Sequence, residues 1–178
     1  MADRTDSPSH LKEKGLKAFY NQDYNAALEF FNAAYSSSST SGDTLAAAEI
    51  ANNLSLCYLK SGDSQKAFDI IQNTDQFFKD AGDKKKQAIT LANQAAALEG
   101  LHKFDLAAAK YEDSSSLFKE IGCQDERALV QKSLSQLHLR RGHQLEAMAA
   151  MQIAIDNQKH PSIVERFLRK LLKIPFGL

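Results

Sequence analysis

The sequence predicts an all-α protein, a solenoid of four helical hairpins followed by a C-terminal capping helix, and three observations carry that prediction. The prolines stand at positions 8, 161 and 175, so Ser9 to His160 contains none and long helices can run there unbroken. Five of the eight glycines (Gly42, Gly62, Gly82, Gly122 and Gly142) lie on a lattice of 20 residues, with His102 at the one vacant point between them. At a shift of 40 the chain resembles itself: Ala27, Ala67, Ala107 and Ala147 recur, and so do the bulkier Phe31, Ile71, Tyr111 and Met151. Glycine ends helices in the left-handed conformation, and the aspartates after Gly42, Gly62 and Gly82 suit the N-cap of a following helix. One helix therefore stops and another begins every 20 residues.

The elements follow in order. Residues 1–8 are polar and are expected to be disordered. The first hairpin pairs helices over about 9–21 and 24–37. The serine run Ser36 to Thr40 reads as a loop or frayed helix end, because repeats resume in register after it. The second, third and fourth hairpins are expected over about 44–60/64–79, 84–100/104–120 and 125–141/144–158, giving repeats of about 9–40, 44–80, 84–120 and 125–160. In each, a small alanine lets two helices approach, and the large residue one turn later fills the space beside them. Residues 161–173 form a last helix that starts at Pro161, with Ile163, Val164, Phe167, Leu168, Leu171 and Leu172 on one side and Arg166, Arg169, Lys170 and Lys173 on the other. A solenoid needs a terminal cap, and the cap reading outweighs a membrane-surface helix. The apolar tail Ile174 to Leu178 packs back on the body, enters another subunit's groove, or is disordered.

Composition limits the function. The chain has 178 residues, 22 basic against 22 acidic, 43% hydrophobic and 25% charged, which fits one soluble domain able to fold without disulfide or metal. No stretch approaches the ~20 apolar residues of a membrane span and no signal-peptide core opens the chain, so a cytoplasmic protein with no membrane partner is expected. Cys57 and Cys123 lack metal-site or CxxC spacing and read as reduced thiols. The five histidines form no metal-ligand pattern, and there is no phosphate loop or GxSxG. The serines at 113–116 lie within a second helix with no partner base. No enzyme, metal or cofactor is expected, and without aromatic and basic interleaving neither is nucleic acid.

The hairpin pattern resembles the tetratricopeptide repeat, whose first helix carries a Leu-Gly pair and an aromatic and whose second carries an aromatic, an alanine and another aromatic. Leu11, Gly15, Tyr24, Ala27, Phe31 and Ala34 fit best. Leu54, Tyr58, Gly62 and Ala67 follow, then Leu98, Phe104, Ala107 and Tyr111, then Leu134, Gly142, Ala147 and Ala154. The period is 40 rather than the family's usual 34, the proline after each second helix is missing, and Ser55, Ala95 and Ser135 replace the first-helix glycine. The resemblance implies a right-handed superhelix whose first helices line a concave groove, and a function in binding other proteins.

Ligand-facing residues should then recur at 40 on the first helices. Asn53 and Asn93 do, with Asn52 beside the first of them, although asparagine is a poor mid-helix residue. Their amides either grip the backbone of an extended peptide or bond between helices inside the solenoid. Lys12 matches the lysine with which chaperone-binding members hold a C-terminal carboxylate, and Asn53 matches a second clamp position. Leu16, Ile89 and Asn93 depart from the other three, so chaperone tails are not the expected ligand and Lys12 reads as a solvated lysine. Residues 127–178 carry nine basic and three acidic residues, +6, which with a total of zero leaves −6 for residues 1–126. Lys132, Gln136 and Arg140 are placed on the groove side of the last repeat, where they either orient an acidic segment of a partner or form a solvated face. The sequence thus predicts an interaction module that binds a segment or helix of another protein in its groove. The alternative is a self-associating or multi-subunit assembly component.

Overall fold

The computed structural model describes residues 7–158, and among these every regular element is an α-helix. In chain order they are α1 (Pro8–Tyr20), α2 (Tyr24–Thr40), α3 (Thr44–Lys60), α4 (Ser64–Ile71), α5 (Thr74–Asp80), α6 (Lys84–Gly100), α7 (Phe104–Glu120), α8 (Gln124–Arg140) and α9 (Gln144–Asn157). The helices pack on their neighbours in the chain: α1 on α2, α2 on α3, α3 on α4, α5 on α6, α6 on α7, α7 on α8 and α8 on α9. The first helices of successive hairpins also meet, α1 with α3 and α3 with α6. Helices α1, α3, α6 and α8 thereby form one row, and α2, α4–α5, α7 and α9 another.

Seven turns of one design join these helices. In each, the residue two past the helix end has positive φ: Gly42, Gly62, Gly82, Gly122 and Gly142 as expected, and also Gln22 at 63° and His102 at 58°. The next residue donates its N–H back to the carbonyl five positions earlier, Asp23 to Ala18 at 3.0 Å and His143 to His138 at 2.9 Å, with the five turns between them alike. This closes the helix and satisfies carbonyls that would otherwise be left over. Asp23, Asp43, Asp63 and Asp83 then cap the following helix, each accepting from the N–H three residues on at 2.9–3.0 Å. Lys103, Cys123 and His143 hold that place in the last three turns without a side-chain cap.

The core follows the period of 40. Ala27, Ala67, Ala107 and Ala147 are buried, as are Phe31, Ile71 and Tyr111, while Met151 is half-buried. A Cβ built on Gly15 would stand 2.6 Å from the Phe31 ring, so the best-matching repeat combines the smallest first-helix residue with a bulky aromatic on the second helix. The same positions two and three repeats on hold Ala95 with Tyr111 and Ser135 with Met151. Ser135 Oγ donates to the Ala147 carbonyl at 2.7 Å, tying α8 to α9.

Three expectations change. The serine run is helix: α2 continues to Thr40, with Ser38 buried and the Thr40 hydroxyl bonding back to the Ser36 carbonyl at 2.8 Å. The start of α1 includes residues assigned to a disordered terminus, since Ser7 caps the helix by accepting from the His10 N–H and Pro8 occupies its first turn. The second helix of the second hairpin is two helices, broken at Gln72–Asn73. Gln94 on α6 reaches into the break, where its Nε2 donates to the Ile71 carbonyl at 2.8 Å, the Gln72 carbonyl at 3.2 Å and Asp75 Oδ1 at 2.7 Å. An amide from the neighbouring hairpin replaces the helical partners those carbonyls lack. Residues 1–6 and the expected capping helix and tail lie outside the described residues.

Two stability predictions follow. Ala107 is fully buried and Ala109 is exposed, so Ala107→Leu should cost about 1–3 kcal/mol by overpacking while Ala109→Leu leaves the melting temperature nearly unchanged. Left-handed backbone costs an L side chain roughly 1–2 kcal/mol, partly offset by the greater freedom of glycine in the unfolded chain. Gln22→Gly should therefore raise stability by about 0.5–1 kcal/mol, and Gly122→Gln should lower it by about as much or more; thermal melts of the two variants check the pair.

Candidate interaction surface

The row of first helices is held together by polar contacts that begin with Glu49 on α3. Its carboxylate pairs with Lys12 of α1 at 3.0 Å and Lys86 of α6 at 2.7 Å, and Lys86 also pairs with Asp83 at 3.2 Å. Partial burial pushes the Glu49 carboxyl up, but the hydrogen bonds and charges of Lys86 and Lys12 outweigh that and leave it below its ordinary value. Its partner Lys86 moves the other way, raised by the hydrogen bonds from its ammonium to Glu49 and Asp83. Lys12, expected to be solvated, is thus half-buried and tied across two helices.

The asparagines lie one turn further along. Asn52 is buried, donating its Nδ2 to Thr90 Oγ1 at 2.8 Å, and it accepts from Asn93 Nδ2 at 3.3 Å. These bonds join α3 to α6, which is the inter-helix use the sequence left open for Asn93. Asn53 points elsewhere, lining a cavity of ≈ 70 Å³ with Leu16, Phe19, Tyr20, Phe31 and Leu56. The two asparagines that recur at 40 are therefore not equivalent, because the one beside Asn53 takes over the partner of Asn93.

At the far end of the row, Arg140 on α8 reaches Glu99 on α6 at 2.5 Å, and Glu99 also accepts from the Tyr111 hydroxyl at 3.2 Å. Burial of Tyr111, with the Glu99 charge and hydrogen bond added, raises its hydroxyl far above the ordinary range. Lys85 pairs with Glu126 at 2.9 Å, a second link from α6 to α8. Lys132 is half-buried and Gln136 is exposed. The predicted set is therefore spread along the row, with Lys12, Asn52, Asn93 and Arg140 linked to neighbouring helices and Asn53 in the small cavity.

Sequence reasoning missed the apolar side chains on the same row. Tyr20 is 77% exposed and Leu129 64%, and Ile89 is exposed as well, while Leu16, Leu56, Ala92 and Ala96 are half-buried. Ile89 and Leu129 stand 40 and 80 positions after Glu49, so they continue its line from α3 to α6 and α8. That shared register was the available signal. A separate groove of ≈ 220 Å³ opens between α2, α3 and the α4–α5 break, lined by Tyr35, Ala47, Ala51, Ile70 and Phe77 among others. It opens there because Ala47 and Ala51 stand where the next hairpins carry Gln87 and Leu91, then Arg127 and Gln131. The last two fill their slot by bonding to Ser115 at 3.3 and 2.7 Å.

Among the described residues the cysteines and histidines form no centre. Cys57 is buried, and burial pushes its thiol up to about 11, which keeps it protonated and unreactive at neutral pH. Buried His138 stacks on His143 with ring centroids 6.0 Å apart. Among the described residues no group of His, Cys, Asp or Glu side chains could hold a metal ion, and no helix is long and apolar enough to cross a membrane. Comparison with protein-family models finds no match, and comparison with curated proteins finds none.

The Glu49 pairing makes a pH prediction with a definite sign. A carboxyl whose folded value is depressed stabilises the fold above its unfolded value near 4.5, and that contribution is lost as the pH falls through the lower folded value. Glu49→Gln should therefore flatten the acid limb of the stability curve below that point, with the variant's deficit against the parent shrinking as the pH is lowered; urea unfolding along an acid series measures this.

Proposed function

We propose that the chain is a protein-interaction module of the tetratricopeptide type, a right-handed superhelix that presents its first-helix row to a segment of another protein. The observation that carries this is the combination found on that row. Lys12, Glu49, Lys85, Lys86, Glu99 and Arg140 are paired within the chain, while Ile89 and Leu129 stand exposed in one register and Tyr20 stands exposed at the end of α1 beside half-buried Leu16 and Leu56. Exposed apolar side chains in register, rimmed by polar groups, mark contact surfaces. The period of 40, the glycine lattice and the small-large packing of each hairpin support the family reading, and such repeats place binding on stacked surfaces. Recognition rests on apolar contacts framed by fixed polar groups, with Asn53 and Gln136 available to a partner backbone. The reading is of a non-catalytic cytoplasmic protein with no cofactor, and the partner is a protein and neither nucleic acid nor membrane.

Affinity capture from native lysate tests it, with the parent compared with Tyr20→Ala/Leu129→Ala. Truncating a well-packed interface anchor typically costs about 1–2 kcal/mol or more. The double variant should keep the parent's melting temperature and lose the proteins the parent retains. Retention of the same proteins at the same salt by both forms would place the contact surface elsewhere.

A further inference from the structure

We infer that a cavity between the start of α1, the end of α2 and the start of α3 is a receptor for one phenol ring, the side chain of a tyrosine on a partner protein. The cavity has a volume of ≈ 280 Å³ and is lined by Pro8 and Lys12 of α1, Ser38 of α2, Ser41 in the turn, and Ala46 and Ile50 of α3. Two residues account for it. Ser38 supplies the carbonyl to which the Asp43 N–H returns at 3.0 Å; in the next two hairpins that carbonyl belongs to Phe78, accepting from Asp83 at 2.8 Å, and to Phe118, accepting from Cys123 at 2.9 Å. Both phenylalanines are buried. Lys86 of the following helix lies over the Phe78 ring, its Nζ 5.9 Å from the centroid, and the residue 40 positions before Lys86 is Ala46. The first hairpin therefore lacks both the ring that fills this place in its neighbours and the long side chain that covers it in the second.

Size, charge and hydrogen bonding select the occupant. A cavity of about 150 Å³ holds a benzene ring, so this one takes a substituted ring; it falls just short of the roughly 300–1,000 Å³ of sites that enclose drug-sized ligands. Lys12 stands on its wall with Nζ held 3.0 Å from Glu49 Oε2, and a positioned ammonium favours the face of an aromatic ring over an aliphatic group. Ser38 is 1% exposed and its Oγ has no hydrogen-bond partner among the described residues. A buried hydroxyl left in that state costs stability, and a phenol hydroxyl entering the cavity can donate to it or accept from it, which a phenylalanine could not. Around the mouth Ser9, Ser41 and Asp43 are exposed, leaving polar groups for the backbone on either side of the tyrosine.

NMR titration of the isotope-labelled full chain with p-cresol, the tyrosine side chain without its backbone, tests this. Saturable shifts are expected at the amides of Ser9, Ser41 and Ala46, with a dissociation constant of about 1 mM or tighter. Toluene, which has the ring without the hydroxyl, should bind at least ~5-fold more weakly, and N-acetyltyrosinamide should shift the same amides as p-cresol. Ser38→Phe restores the ring of the later hairpins; it should melt at or above the parent's temperature and no longer bind p-cresol. Should that variant fail to fold, Ser38→Leu, which fills less of the space, carries the same comparison. Absence of saturable shifts in the parent overturns the site, and so does p-cresol binding kept by a folded Ser38→Phe or Ser38→Leu. Toluene binding as tightly as p-cresol overturns the choice of a phenol, and p-cresol binding without N-acetyltyrosinamide binding overturns a protein side chain as its source.

Discussion

The close of each helix is the constraint on which the rest depends. A left-handed residue followed by an N–H that returns to the carbonyl five positions back reverses the chain in three residues, and the same device occurs seven times at intervals of 20. Because the turn is rigid and short, it fixes the angle at which the next helix leaves. With the angle fixed, the alanine at each 40-residue step meets its neighbour helix at the same depth, and large residues such as Phe31 and Tyr111 fall into the space alongside. The row of first helices is a consequence: equal turns place Glu49, Ile89 and Leu129 in one line, although no two of them are close in sequence.

Within that line the chain uses polar groups as ties and leaves apolar groups uncovered, the reverse of the arrangement expected for a charge-reading surface. Glu49 holds two lysines from two other helices, Asn52 and Thr90 join the second and third hairpins, and Glu99 receives both Arg140 and Tyr111. Each exposed pair contributes little by itself, since solvent and side-chain entropy offset most of the Coulomb gain. Their joint effect is geometric. They hold adjacent first helices at a set spacing, and that spacing determines whether Tyr20, Ile89 and Leu129 can meet one surface together.

Much of the fold was legible because backbone requirements show directly in residue type. Gly42 or Asp63 announces a turn whatever surrounds it, and Ala107 announces a close contact. Gln22 escaped notice because it performs a glycine's task without being one, and nothing local distinguishes it from a solvated glutamine. The α4–α5 break was hidden for a different reason: its cause lies 22 residues away, in Gln94. The trace it left was a departure from register, a glutamine where the second and fourth hairpins carry Leu54 and Leu134. For the candidate surface, periodicity singled out Asn53 and Asn93 on the first helices, but whether Lys12 or Asn93 is available to a partner depends on which side chains of the next helix come within reach, and that is set by three-dimensional spacing.

The Gln94 contact makes the array less interchangeable than its even spacing implies. In an ideal tandem array any hairpin could be duplicated, deleted or exchanged, because every junction is the same. Here the second hairpin has an interruption that only the third can mend, and the third carries a polar side chain that only the second can use. Exchanging either for a copy of the fourth would strand an amide or two carbonyls in the interior. The two middle units are therefore inherited, shuffled or engineered as one block, and new repeats can be added at the ends without disturbing it.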